Sequence, residues 1–127
     1  PEKKVWIIDG DGAVLMHMGS MALLGANAPE NVVHIVINNG AHETVGGQPT
    51  VAGKIDLVQI AKGCGYPEAV CADSFEQLDQ ALAEAKSGKG LRLIEVKSSI
   101  GAREDLGRPT TTAKENKENF MKFLAEG

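Results

Sequence analysis

Two short apolar runs, each closed by residues suited to a tight turn, constrain this chain more than any other feature. Val5-Trp6-Ile7-Ile8 leads into Asp9-Gly10-Asp11-Gly12, and residues 32–37 lead into Asn38-Asn39-Gly40. Short continuous apolar runs read as strands buried on both faces, the pattern of a parallel sheet covered by helices. On this reading the chain enters almost directly on a central strand. Between the runs, residues 18–26 hold Met18, Met21, Ala22 and Gly25 at helical spacing, and the pattern stops before Pro29. Strand, helix and second strand then deliver Gly10-Asp11-Gly12 and Asn38-Asn39 to the same edge of one sheet.

The alternation continues downstream. Residues 40–53 carry Gly40, Gly46, Gly47, Pro49 and Gly53 with few apolar residues between them, a long loop of the kind that is functional or mobile. Residues 55–62 show Ile55, Leu57, Val58, Ile60 and Ala61 in a helical pattern, with Asp56 near the start and Gly63 at the end. Residues 69–72 read as a short strand. Ser74 is placed to cap an amphipathic helix from Phe75 to about Lys86, with Phe75, Leu78, Leu82 and Ala85 on one face and Gly88 as the stop. Residues 91–96 alternate more and are expected nearer the sheet edge. Residues 98–109 are polar and irregular, and Thr110 to Thr112 can cap a last helix with Phe120, Phe123 and Leu124 on its apolar face. This order predicts an α/β, three-layer fold with a mostly parallel sheet and right-handed crossovers. Such sheets bind ligands at the carboxyl ends of their strands.

Composition narrows the function classes. A chain of 127 residues, 43% of them apolar, supports one domain. Beyond Trp6 the large rings are Tyr66, Phe75, Phe120 and Phe123, so aliphatic residues must fill the core. A formal charge of -4 argues against a nucleic-acid or anionic-membrane surface, since both demand a basic face. Cys64 and Cys71 lack metal-ligand spacing and read as reduced, buried thiols, which favours a cytoplasmic location. No apolar run approaches the roughly 18 residues of a membrane span, and no basic-then-apolar leader opens the chain.

The motif chemistry points to a metal and a diphosphate. Magnesium takes oxygen ligands, usually including only one or two carboxylates, and completes its shell with phosphate oxygens and water. Asp11 and the Asn39 side chain suit that need. The glycines flanking Asp11 allow a diphosphate close to the backbone, with the amides of Gly12 and Ala13 as donors. Each motif half alone also reads as a plain turn; their joint occurrence after two buried strands is more specific. A dinucleotide site is disfavoured because Gly10-Asp11-Gly12 is not Gly-x-Gly-x-x-Gly, and Asp11 would repel a bare diphosphate.

Gly10-Asp11-Gly12 with Asn38-Asn39 resembles the thiamine diphosphate-binding domain of the decarboxylase superfamily, a likeness that covers residues 5–96. Longer strings sharpen it: Gly-Asp-Gly-Ala-Val-Leu-Met-His-Met-Gly-Ser-Met at 10–21, Asn-Asn-Gly-Ala-His-Glu-Thr-Val-Gly-Gly-Gln-Pro-Thr at 38–50, and the tail from Arg103 to Asn116. These are similar to the phosphonopyruvate decarboxylases and the related sulfopyruvate decarboxylases. The resemblance implies a thiamine diphosphate-binding fold truncated at its N-terminus, with thiamine diphosphate and Mg2+ as cofactors. It implies that Asp11, Asn39 and the backbone carbonyl of Ala41 bind the metal, and that Gly10, Gly12, Ala13 and Thr44 join the cofactor contacts. It further implies a pyrimidine-binding domain, on the same or another chain, that supplies the activating glutamate. Nothing here matches that domain, so the isolated chain is expected to be inactive and to work in a homo- or hetero-oligomer.

Other residues remain two-sided. His17 and His42 flank the motif halves and either transfer protons or merely pack and hydrate. His34, inside an apolar strand, reads as structural, whereas Glu43 either orients a neighbour or is solvated. Arg103 and Arg108 either read a phosphonate or sulfonate with their guanidinium forks or pair with Glu104 and Asp105. The expected activity is decarboxylation of a 2-oxo acid, phosphonopyruvate first and sulfopyruvate second. The alternative from another class is a noncatalytic subunit that binds a diphosphate and regulates a partner.

Overall fold

The computed structural model describes residues 3–126. Its sheet has four parallel strands in the order β1 (Val5–Gly10), β2 (Val32–Asn38), β6 (Arg92–Lys97) and β5 (Glu68–Ala72). The remaining strands, β3 (Ala41–His42) and β4 (Gln48–Pro49), form a small antiparallel hairpin beyond the end of β2. Five helices accompany them: α1 (Asp11–Met16), α2 (Gly19–Asn27), α3 (Leu57–Gly63), α4 (Phe75–Ser87) and α5 (Ala113–Ala125). None of them is long and apolar enough to cross a membrane.

The core forms on both faces of β2 and β6. On one face Val32, Val36 and Leu93 pack with Val14 and Met21 from α1 and α2 and with Leu57 and Ala61 from α3. On the other, Val33, Ile35 and Ile94 pack against Ala81 and Ala85 of α4. Three layers result. Asp56 and Ser74 cap α3 and α4 by accepting the amides of Gln59 and Gln77, and Thr112 closes a capping box with Glu115 on α5. Each cap satisfies an amide that the first helical turn leaves without a partner.

Several expectations change. β1 lies at the sheet edge, not at its centre, and Val5, Trp6 and Ile8 are exposed, Ile8 at 69%. Its apolar run signals a face left uncovered by the described residues. Conversely, β6 is central although its sequence alternates, because its polar residues are buried and paired. Arg92 meets Glu68 and Glu84, and Glu95 meets Lys97. Phe75 begins α4 facing solvent, and Cys71 is exposed where a buried thiol was expected. Residues 11–16 form a helix where only a turn was anticipated. The glycine-rich stretch 40–53 is the β3–β4 hairpin, whose connection holds the short 3₁₀ turn Glu43–Val45, followed by a second 3₁₀ turn, Ala52–Lys54.

One close approach fixes how α2 sits. A Cβ on Gly25 would lie 1.9 Å from the carbonyl oxygen of Cys64, at the end of α3. Only glycine lets these two backbones meet at that distance.

Candidate functional site

The site grows from the register of β1 on β2. Gly10 pairs with Ile37, so Asp11 leaves the sheet beside Asn38 and Asn39. The chain turns directly from β1 into α1, with Gly10 as the N-cap and no side chain capping the first turn. Its leading amides are therefore free to face an anion.

Asp11 is 1% exposed and accepts a hydrogen bond from Thr50 Oγ1 at 2.5 Å. No ion pair among the described residues reaches it. Burying a carboxylate is costly unless it is paired or coordinates a metal. A hard cation fits this group. Asn39 lies across the turn with its amide fixed at both ends: Oδ1 accepts the Ala41 amide at 3.1 Å, and Nδ2 donates to Glu43 Oε2 at 2.9 Å. The oxygen retains a second lone pair for a metal. Ala41 is buried in β3 immediately after this turn. The donor set of one carboxylate, one amide oxygen and neighbouring backbone oxygens matches magnesium chemistry. No cluster of three His, Cys, Asp or Glu side chains that could hold a metal ion is found among the described residues.

His42 comes to this edge and His17 does not. A Cβ on Gly12 would lie 2.4 Å from His42 Nδ1, so the imidazole rests on the first turn of α1. His17 is exposed at the far end of α1, about 9 Å along the helix at its usual rise. There it lines a cavity of about 240 Å³ with Ile7, Asp9, Ser20, His34 and Tyr66. His34 is structural, as expected: Nδ1 meets the Tyr66 hydroxyl and Nε2 meets Asp9, each at 3.0 Å. Burial, reinforced by nearby Cys64 and Asp9, pushes the Tyr66 hydroxyl up to about 12.

Thr44 is exposed in the Glu43–Val45 turn. Glu43 has a defined partner set, because its second oxygen accepts the Gly101 amide at 2.9 Å. It ties the irregular segment after β6 to the Asn39 turn. Within that segment Arg103 forks onto Asp105 at 2.9 Å through two nitrogens, which holds the Asp105 carboxyl below its usual range. Arg103 is thus an exposed, internally paired charge, and Arg108 lies five residues further along the same exposed segment.

Thr50 and Glu95 were not singled out from sequence, and Asn38 was read only as the first half of the Asn38-Asn39 pair. Thr50 was hidden at the end of a glycine-rich loop. Its link to Asp11 depends on the hairpin folding back, which no local spacing announces. Glu95 looked like the solvent side of an edge strand.

Fold and site together define a parallel α/β domain that presents a buried carboxylate, a fixed amide and an uncapped helix start at its strand ends. The family model described as "Thiamine pyrophosphate enzyme, C-terminal TPP binding domain" matches residues 1–96, and the chain belongs to that family. The phosphonopyruvate decarboxylase of Streptomyces viridochromogenes is 40% identical over 122 residues, covering 96% of this chain and 31% of that protein. The sulfopyruvate decarboxylase subunit beta of Methanocaldococcus jannaschii is 36% identical over 98 residues, covering 76% of this chain and 52% of that subunit. The chain therefore spans about a third of the first relative and about half of the second. Among solved structures, a Mycobacterium smegmatis enzyme described as thiamin diphosphate-dependent superposes with a TM-score of 0.66 at 21% identity, over 79% of this chain and 19% of that one. At that identity the likeness is one of fold.

Proposed function

We propose that this chain is the diphosphate-binding half of a thiamine diphosphate- and Mg2+-dependent decarboxylase that converts phosphonopyruvate to phosphonoacetaldehyde and CO2. The observation that carries the reading is the buried Asp11 carboxylate, set between Thr50 and the Asn39 turn beneath an uncapped helix start. Asp11, Asn39 Oδ1 and the Ala41 carbonyl would hold Mg2+. Gly10 and Gly12 would admit the diphosphate, and Gly12, Ala13 and Thr44 would donate to it. When bound, thiamine diphosphate supplies the carbon nucleophile and the electron sink that loss of CO2 from a 2-oxo acid requires.

The remaining work falls to this chain's own groups. Thr50, just after the β3–β4 hairpin, donates to Asp11 and would orient its carboxylate toward the metal. His42, resting on Gly12, would hold a proton for transfer near the reacting carbon. Arg108, which has no such fork among the described residues, would read the substrate's anionic head group. The aminopyrimidine would be activated by a pyrimidine-binding domain on the same or another polypeptide, in a homo- or hetero-oligomer. On this reading the 127-residue chain alone is inactive.

The test is calorimetry with thiamine diphosphate in the presence and absence of Mg2+, with adenine nucleotides as the control. Magnesium-dependent binding is expected. Asp11→Ala should weaken it at least about a hundredfold, beyond the 10–100-fold typical of outer-shell partners, with the circular dichroism spectrum retained. Equal affinity for adenine nucleotides would instead favour a noncatalytic regulatory subunit. The sulfopyruvate decarboxylase relative supports sulfopyruvate as the alternative to phosphonopyruvate. The complete enzyme assayed on both acids separates the two.

A further inference from the structure

Behind the Asn38-Asn39-Gly40 turn lies a buried carboxylate that no role assigned so far explains. We infer that Glu95 is the positioning residue of this turn, an assignment that rests on the thiamine diphosphate reading above. Glu95 is 3% exposed on central strand β6, which carries Leu93 and Ile94 in the two halves of the core. A charge in such a place is destabilising unless hydrogen bonds and an opposite charge offset it. Both are present: Glu95 Oε1 accepts from Asn38 Nδ2 at 2.6 Å and from Lys97 Nζ at 2.5 Å. Lys97 is partly exposed and closes the pair from the solvent side.

The consequence passes through Asn38, itself 5% exposed. With Nδ2 committed to Glu95, the amide is fixed so that Oδ1 faces outward and accepts the Gly40 amide at 3.1 Å. The Asn38 carbonyl accepts the amide of Ser98 at 2.9 Å, which anchors the residue to the chain leaving β6. Gly40 stands at φ +70°, in the left-handed region, between Asn39 and Ala41. Its amide orientation sets where the Asn39 oxygen and the Ala41 carbonyl lie. Glu95 thus acts on the metal donors at second hand. Without an acceptor at Glu95, the Asn38 amide is free to reverse, presenting a nitrogen to the Gly40 amide and breaking that contact. The turn would then have to be ordered by the cofactor at the expense of affinity.

A purely stabilising glutamate would lower the melting temperature and leave the folded protein's affinity alone. A positioning glutamate changes affinity in protein that is still folded. The experiment uses the 127-residue chain together with its pyrimidine-binding domain, titrated with Mg2+ and thiamine diphosphate by calorimetry, with circular dichroism as the folding control. Glu95→Ala should weaken Mg2+-dependent binding about tenfold, the scale of one lost buried hydrogen bond to a charged group. Asn38→Asp, which sets a second carboxylate against Glu95, should weaken it at least as much. The double variant Asn38→Asp with Glu95→Gln restores a donor–acceptor pair at nearly constant volume and should recover most of the loss. That rescue keeps the test decisive if Glu95→Ala does not fold. Glu95→Ala or Asn38→Asp binding as tightly as the unaltered protein, or a double variant no better than Asn38→Asp, overturns the assignment. Failure of the unaltered protein to bind thiamine diphosphate with Mg2+ overturns the cofactor reading as well.

Discussion

At Gly12 a missing side chain decides the geometry, since the His42 ring occupies the space that a Cβ would need. This is the observation that separates the two histidines, because His17 lies at the other end of α1 beside the Asp9–His34–Tyr66 cavity. On the proposed reading, His42→Ala in the complete enzyme should lower kcat about a hundredfold or more, the usual scale for a lost proton-transfer group, while thiamine diphosphate affinity stays nearly unchanged. Equal kcat values would return His42 to a packing role. The arginines separate by a similar argument. The bidentate fork between Arg103 and Asp105 leaves the Arg103 guanidinium satisfied within the chain. On the same proposed reading, Arg108→Ala in the complete enzyme is expected to raise KM for phosphonopyruvate by about tenfold, the lower end for a charge-assisted contact, with little effect on cofactor binding. An unchanged KM would remove Arg108 from substrate recognition.

Among elements, the junction of α2 with the end of α3 is the least forgiving. A methyl on Gly25 would meet the backbone of Cys64 at 1.9 Å for the oxygen and 2.7 Å for the carbonyl carbon. Backbone does not rotate aside as a side chain can. Gly25→Ala should destabilise the domain by about 3 kcal/mol, the upper end of ordinary overpacking, measured as a lowered urea midpoint; a loss below about 0.5 kcal/mol, the scale of a neutral surface change, would show that the contact relaxes freely. This junction also marks where sequence reading stops. The apolar spacing around Gly25 announced a helix, and Asp56, Ser74 and Thr112 announced three helix starts, because caps and periodicity are local. The neighbour of Gly25 is 39 residues away in sequence, and nothing local records it. Strand order was lost for the same reason. The exposed run on β1 and the paired charges on β6 invert the usual link between polarity and depth, so edge and centre were exchanged. At the candidate site, the placement of Asp11 and Asn39 together was legible because each follows directly on a strand. Thr50 and Glu95 were not, since their contacts depend on a hairpin fold-back and on the register of β6 against β2.

Across the molecule, burial concentrates on β2 and β6 while apolar side chains remain outside on β1 and α5. Val5, Trp6, Ile8, Phe120, Phe123 and Leu124 are all exposed, and α5 buries no residue. The stability of the domain therefore depends heavily on the covered strands, and a polar chain that lines the cavity between α1, α2 and the sheet becomes a measurable part of it. That chain runs from Asp9 through His34 to Tyr66, and the Nε2–H tautomer of the imidazole donates to Asp9 and accepts from the tyrosine hydroxyl at Nδ1. Tyr66 is 3% exposed, and burial, then Cys64, then Asp9, raise its hydroxyl to about 12 from an ordinary value of 10.0. The folded state thus keeps this proton at pH values where the unfolded chain releases it. The contribution of the hydroxyl is fully present below about pH 10 and is lost as pH rises toward 12, because the unfolded state binds fewer protons across that window. Tyr66→Phe removes the titration and leaves His34 Nδ1 without its partner, which costs about 1–3 kcal/mol for a buried acceptor. Urea midpoints of the two proteins should therefore lie well apart at pH 8 and converge between pH 10 and 12, whereas a gap that holds constant across that window would mean that the hydroxyl titrates alike in folded and unfolded chains.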